Sequence, residues 1–90
     1  MNKCIITVVG KDTKGIIAHV CTYLANNDIN ILDITQTIVG GYFNMMMIVD
    51  VAEATIPFLQ LHNELDECGR QLCVQVKCQR EDIFEKMHRI

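Results

Sequence analysis

The succession of apolar periodicities predicts an α+β fold, a ferredoxin-like βαββαβ two-layer sandwich with a four-stranded antiparallel sheet and a short C-terminal helix. Three observations carry that expectation. The chain has 90 residues, enough for one core and no second one. Two strand–helix–strand units follow each other, and right-handed crossovers limit how they can be wound. Between them stands Gly40-Gly41, a hairpin signal. In such a fold strands one and three are central, strands two and four are edges, and both helices cover the same face.

Taken in order, residues 3–9 (Lys-Cys-Ile-Ile-Thr-Val-Val) are short and β-branched, as a strand requires. The polar segment from Gly10 to Gly15 breaks that run. Ile16, Ile17, Val20, Cys21 and Leu24 then recur at helical spacing, and Asn26-Asn27-Asp28 ends the helix. Residues 29–39 read as strand two, with Leu32, Ile34 and Ile38 on one face and Asp33, Thr35 and Thr37 on the other. Strand three returns over residues 42–51. Thr55 is placed to cap a second helix with Pro57 in its first turn, an apolar stripe of Phe58, Leu61, Leu65 and Cys68, and Gly69 as its stop. Leu72, Val74 and Val76 alternate with Cys73, Gln75 and Lys77 in strand four. Ile83, Phe84, Met87 and Ile90 recur at helical spacing in the tail. The expected organisation is one domain over residues 1–79 and a helical extension over residues 80–90.

Strands one and three are apolar on nearly both faces, while strands two and four each have a polar face. Helices cover one face, so something else is expected on the other. The candidates are a second subunit or the tail stripe. The expected interface residues are therefore Met45, Met47, Ile83, Phe84 and Met87. A hydrophobic fraction of 50% also exceeds what one small core needs and points to self-association.

Composition narrows the function. The net charge is −3, the isoelectric point about 5.4 and the mean hydropathy +0.20. With no Lys/Arg cluster, a nucleic-acid backbone is not an expected partner. The longest apolar run, residues 45–49, is far short of the roughly 18 residues of a membrane-spanning helix. Five cysteines (Cys4, Cys21, Cys68, Cys73 and Cys78) form no CxxC pair. Together with an N-terminus that lacks a signal-cleavage pattern, they point to free thiols in the cytoplasm. There is no serine, which removes serine-nucleophile chemistry. No Cys/His spacing suits a metal, no cofactor is expected, and no thiolate–base arrangement is legible. The chain lacks the aromatics of an RNA-recognition sheet and the GxxxxGK[ST] of a phosphate loop.

The turn before the first helix is the strongest candidate site. Gly10 and Gly15 permit a tight approach of backbone to ligand, and the amides of Gly15, Ile16 and Ile17 would emerge from a helix N-terminus. Such a seat suits a carboxylate, with Lys14 beside it and Asp12 able to meet an ammonium. The competing account is a polar turn in which Asp12 or Thr13 caps the helix. Asn30 is a second candidate, since its amide both donates and accepts; the alternative is an edge-strand Asn facing water.

The stretch Val8-Val9-Gly-Lys-Asp-Thr-Lys-Gly-Ile-Ile17, with Val20, Leu24-Ala25 and Ile29-Asn-Ile-Leu-Asp-Ile34, resembles the ACT domain. Gly40-Gly-Tyr-Phe43 and residues 45–50 extend the likeness over nearly the whole chain. It looks nearest to the glycine-cleavage-repressor-like branch, and residues 79–84 and 87–90 resemble the tail of standalone single-ACT bacterial proteins. The resemblance implies a non-enzymatic regulatory domain that binds an amino acid at a homodimer interface. Its site would comprise Asp12, Lys14, Gly15, Ile16, Asn30 and Ile31. Lys14 departs from the Pro or small apolar residue common there, which bears on ligand preference. With no catalytic or DNA-binding domain expected alongside it, a sensor of amino-acid metabolism would act on a partner protein. The alternative reading is a ligand-free pairing module for a larger enzyme or transporter.

Overall fold

The computed structural model describes residues 2–11 and 15–82. Six elements follow the predicted order: β1 (Lys3–Lys11), α1 (Ile16–Asn26), β2 (Asn30–Val39), β3 (Tyr42–Asp50), α2 (Phe58–Leu72) and β4 (Val74–Arg80). The strands form one antiparallel sheet in the order β2-β3-β1-β4, so β1 and β3 are central and β2 and β4 are edges. This is the ferredoxin-like sandwich expected from the pattern.

Strand parity builds the core. Cys4, Ile6 and Val8 of β1 stand opposite Val49, Met47 and Met45 of β3. Together with Phe43, Val74, Val76 and Cys78 they form one buried layer. Ile16, Val20 and Leu24 of α1, with Leu61, Leu65 and Cys68 of α2, close over it. Burying these side chains contributes about 1.5–3 kcal/mol for each large aliphatic residue.

Parity also relocates an expectation. Met45 and Met47, expected at an interface, are fully buried inside the protomer beneath the helices. Alternation sends two of the three consecutive methionines inward and leaves only Met46 on the open face. That face is less apolar than expected. On it Ile5, Val9, Met46 and Ile48 are interrupted by Thr7 and Asn44 and flanked by Thr35 and Lys77. Ile83, Phe84 and Met87, the remaining expected interface residues, lie outside the described residues, as does most of the extension expected over 80–90.

Three local expectations are corrected. Gly69 does not stop α2: it is buried within the helix, where a Cβ would stand 2.7 Å from the Val74 carbonyl oxygen. The stop is Cys73, in the left-handed region at φ 59°. Thr55 does not cap α2, whose N-cap is Pro57 without a side-chain bond. Thr55 instead ties to the end of α1, its amide donating to the Asn27 carbonyl at 3.1 Å. Finally, β2 carries a bulge between Ile31 and Asp33. The extra residue separates Leu32 from the pairing pattern and sets Ile34 and Ile38 opposite Met47 and Phe43, on the helix side of the sheet.

Candidate functional site

The turn between β1 and α1 places Gly15 at the N-cap of α1 with φ 86° and ψ 2°. That left-handed conformation suits glycine because it has no Cβ. Among the described residues no side chain bonds to this cap, and the first turn has no acidic residue. The His19 amide is the first to bond back, donating to the Gly15 carbonyl at 2.9 Å. The amides of Ile16, Ile17 and Ala18 precede it, at the positive end of the helix dipole. Among the described residues, a Cβ built on Gly15 meets nothing within 4 Å. The Ile16 side chain is buried in the core and anchors the start of the helix. The expected carboxylate seat thus has suitable backbone here. Asp12 and Lys14 lie outside the described residues.

Asn30 opens β2, exposed and opposite Asp50 on β3. It shares a shallow recess with Asp28 and Glu53, so this end of the sheet is acidic. Ile31 is half-buried opposite Val49. One protomer does not bring Asn30 to Gly15. The eleven residues of α1 separate them, a length of about 16 Å at 1.5 Å per residue. Each is half of the expected site.

A third place was not found by sequence reasoning. At the Lys3 end of the sheet, a recess of about 460 Å³ is lined by Asn2, Lys3, Cys4, Phe58, Leu61 and Arg80 among others. Cys4 stands opposite Arg80 on β4. A hydrogen bond from the Cys78 thiol, aided by the Arg80 guanidinium, lowers the Cys4 thiol from its ordinary value against the opposing effect of burial. The same bond, with burial, raises Cys78. The available signal was the even parity of residues 4 and 78 on neighbouring strands, but it required the β1–β4 register to read. Among the described residues no group of three or more His, Cys, Asp or Glu is placed to hold a metal ion.

The ACT-domain family model matches residues 2–79. The chain belongs to the ACT-domain family. A UPF0237 protein of Bifidobacterium longum is 60% identical to this ACT domain over 90 residues, covering 100% of each chain. An ACT domain protein from Streptococcus pneumoniae has 43% identity and a TM-score of 0.81, with 93% of this chain and 94% of that one aligned. A protein described as a glycine cleavage system transcriptional repressor shares the fold, with a TM-score of 0.74 at 23% identity over 88% of this chain and 45% of that one. ACT domains are typically regulatory domains that bind small molecules. No helix among the described residues of this ACT domain is long and apolar enough to cross a membrane.

Proposed function

We propose that the chain is a non-enzymatic, dimeric amino-acid sensor acting in the cytoplasm, whose ligand occupancy is relayed to a partner protein. The observation that carries the reading is the N-terminus of α1 at a left-handed Gly15, where no side chain among the described residues takes the first-turn amides and a Cβ would meet nothing within 4 Å. The ligand carboxylate takes the amides of Gly15 and Ile16, with Lys14 adding a cation and Asp12 facing the ammonium. Asn30 and the Ile31 backbone of a second copy hold the remainder.

Pairing supplies the missing half. β2 is an edge strand of ten residues, and on its helix side Ile34 and Ile38 are 42% and 58% exposed. An unpaired, apolar edge of this length is a template for another strand. Antiparallel pairing of two β2 edges would reverse one copy end for end. It would carry the Asn30 end of that copy, with its acidic Asp28 and Glu53, toward the Gly15 end of the other. The Gly15 end offers amides to the carboxylate, and the acidic Asn30 end of the second copy adds to Asp12 a negative field that favours the ammonium.

A thermal-shift panel of amino acids on wild type and Gly15→Val tests this. A ligand at about 100 times its Kd adds about 2.7 kcal/mol to the wild type, and the shift is lost in the variant. No stabilisation by any amino acid would overturn the reading in favour of the ligand-free pairing module.

A further inference from the structure

We propose that Cys4 and Cys78 form a peroxide-responsive thiol pair, in which a hydroperoxide oxidises Cys4 and Cys78 closes the intermediate into a disulfide between β1 and β4. The proposal is independent of amino-acid binding and concerns the opposite end of the sheet from Gly15.

Geometry brings the two sulfurs together. Cys4 pairs with Arg80 and Ile6 with Cys78, so the cysteines are diagonal neighbours on adjacent strands. Both belong to the buried layer on the helix side, 1% and 3% exposed, and each thiol shifts the other's ionisation, Cys4 downward and Cys78 upward. Diagonal partners stand about 7–8 Å apart at Cα, while a disulfide prefers about 4.4–6.8 Å. Closing the gap requires β4 to shift by about 1 Å. Among the described residues it is the outermost strand on its side of the sheet, paired on one edge only and packed under α2 near Val74.

The chemistry assigns a role to each sulfur. Cys4 is among the residues lining the recess that also holds Arg80 but is 1% exposed, so a small oxidant would reach it from that recess by local opening. The Cys78 thiol, and to a lesser extent Arg80, favour its thiolate, while burial and Asp82 oppose it, with the net direction downward; the thiolate is the reactive form. The Cys4 sulfur attacks one peroxide oxygen, the O–O bond breaks, and water or an alcohol leaves, giving a sulfenic acid. The Cys78 sulfur then attacks the Cys4 sulfur. The S–O bond breaks, and the departing hydroxide takes the Cys78 proton as water. Two thiols and one hydroperoxide thus yield a disulfide, water and a second water or alcohol. Cys68 provides an internal contrast: it too is buried, but burial alone raises its thiol.

The test treats the reduced full chain with hydrogen peroxide, quenches with iodoacetamide and maps the peptides by mass spectrometry. Cys4→Ala and Cys78→Ala are treated in parallel, with dimedone to trap sulfenic acid. In the wild type, Cys4 and Cys78 lose their free thiols together, at least about tenfold faster than Cys68, and one peptide pair is joined between positions 4 and 78. Cys78→Ala accumulates dimedone-labelled Cys4, and Cys4→Ala keeps Cys78 reduced. If either variant fails to fold, the wild-type map decides alone. Cys4 and Cys78 remaining alkylatable while Cys21 or Cys73 oxidise would overturn the proposal. So would a disulfide joining any other pair, or Cys4 halting at the sulfenic acid in the wild type.

Discussion

At the scale of single residues, Gly69 and Tyr23 make opposite kinds of claim. Gly69 lies where α2 crosses β4, and a Cβ there would meet the Val74 carbonyl oxygen at 2.7 Å and Val76 Cγ2 at 2.9 Å. Backbone cannot rotate aside as a side chain can. The clash therefore outweighs the roughly 1 kcal/mol of helix propensity that alanine brings. Gly69→Ala is expected to lower stability by about 1–2 kcal/mol in urea unfolding. Tyr23 joins the two helices by donating to Glu64 Oε1 at 2.5 Å. Burial first, then this bond and the Glu64 charge, raise its hydroxyl above the ordinary range. The unfolded chain releases that proton near pH 10, whereas the folded chain resists. The contribution of Tyr23 is thus complete below about pH 10 and declines as pH rises further toward the folded value. Tyr23→Phe is expected to flatten that decline, read as a smaller drop in the urea midpoint between about pH 8 and about pH 11 in reducing buffer.

Among the elements, α2 displays how much of the fold was legible. Of the expected stripe of Phe58, Leu61, Leu65 and Cys68, the last three are buried, as a one-sided 3.6-residue pattern implies, whereas Phe58 at the first turn is 36% exposed. The ends of α2 were not legible. Gly69 carries the same letter whether it terminates a helix or admits a strand against one, and only the packing of β4 distinguishes the two. The methionine run met the same difficulty: three equal side chains hide their parity, and the β1–β3 register alone turns Met45 and Met47 inward. The turn at Gly15 was legible because an unusual backbone requirement leaves a glycine behind. The Cys4–Cys78 contact was not, because it depends on a register between strands far apart in sequence. A direct check on the α2 face compares two leucines. Leu65→Ala, at a fully buried position, is expected to cost about 2–5 kcal/mol. Leu59→Ala, at 68% exposure on the same helix, should stay within about 0.5 kcal/mol. Equal losses in thermal or urea unfolding would refute the assignment of faces.

For the whole molecule, the β2 edge is the feature on which the dimer proposal turns. Replacing both Ile34 and Ile38 with lysine puts charge on an exposed strand without entering the core. Sedimentation equilibrium is expected to change from dimer to monomer, with the far-ultraviolet circular dichroism of the fold retained. A wild type that is already monomeric at high micromolar concentration would contradict the proposal.

The length of α1 has one more consequence. A pocket whose halves sit at the two extremities of a helix can be completed only by borrowing, so each pair of subunits would create two equivalent pockets. Dilution then acts as an antagonist: amino-acid titrations at falling protein concentration should give progressively weaker apparent affinity, and the ligand should in turn hold the pair together.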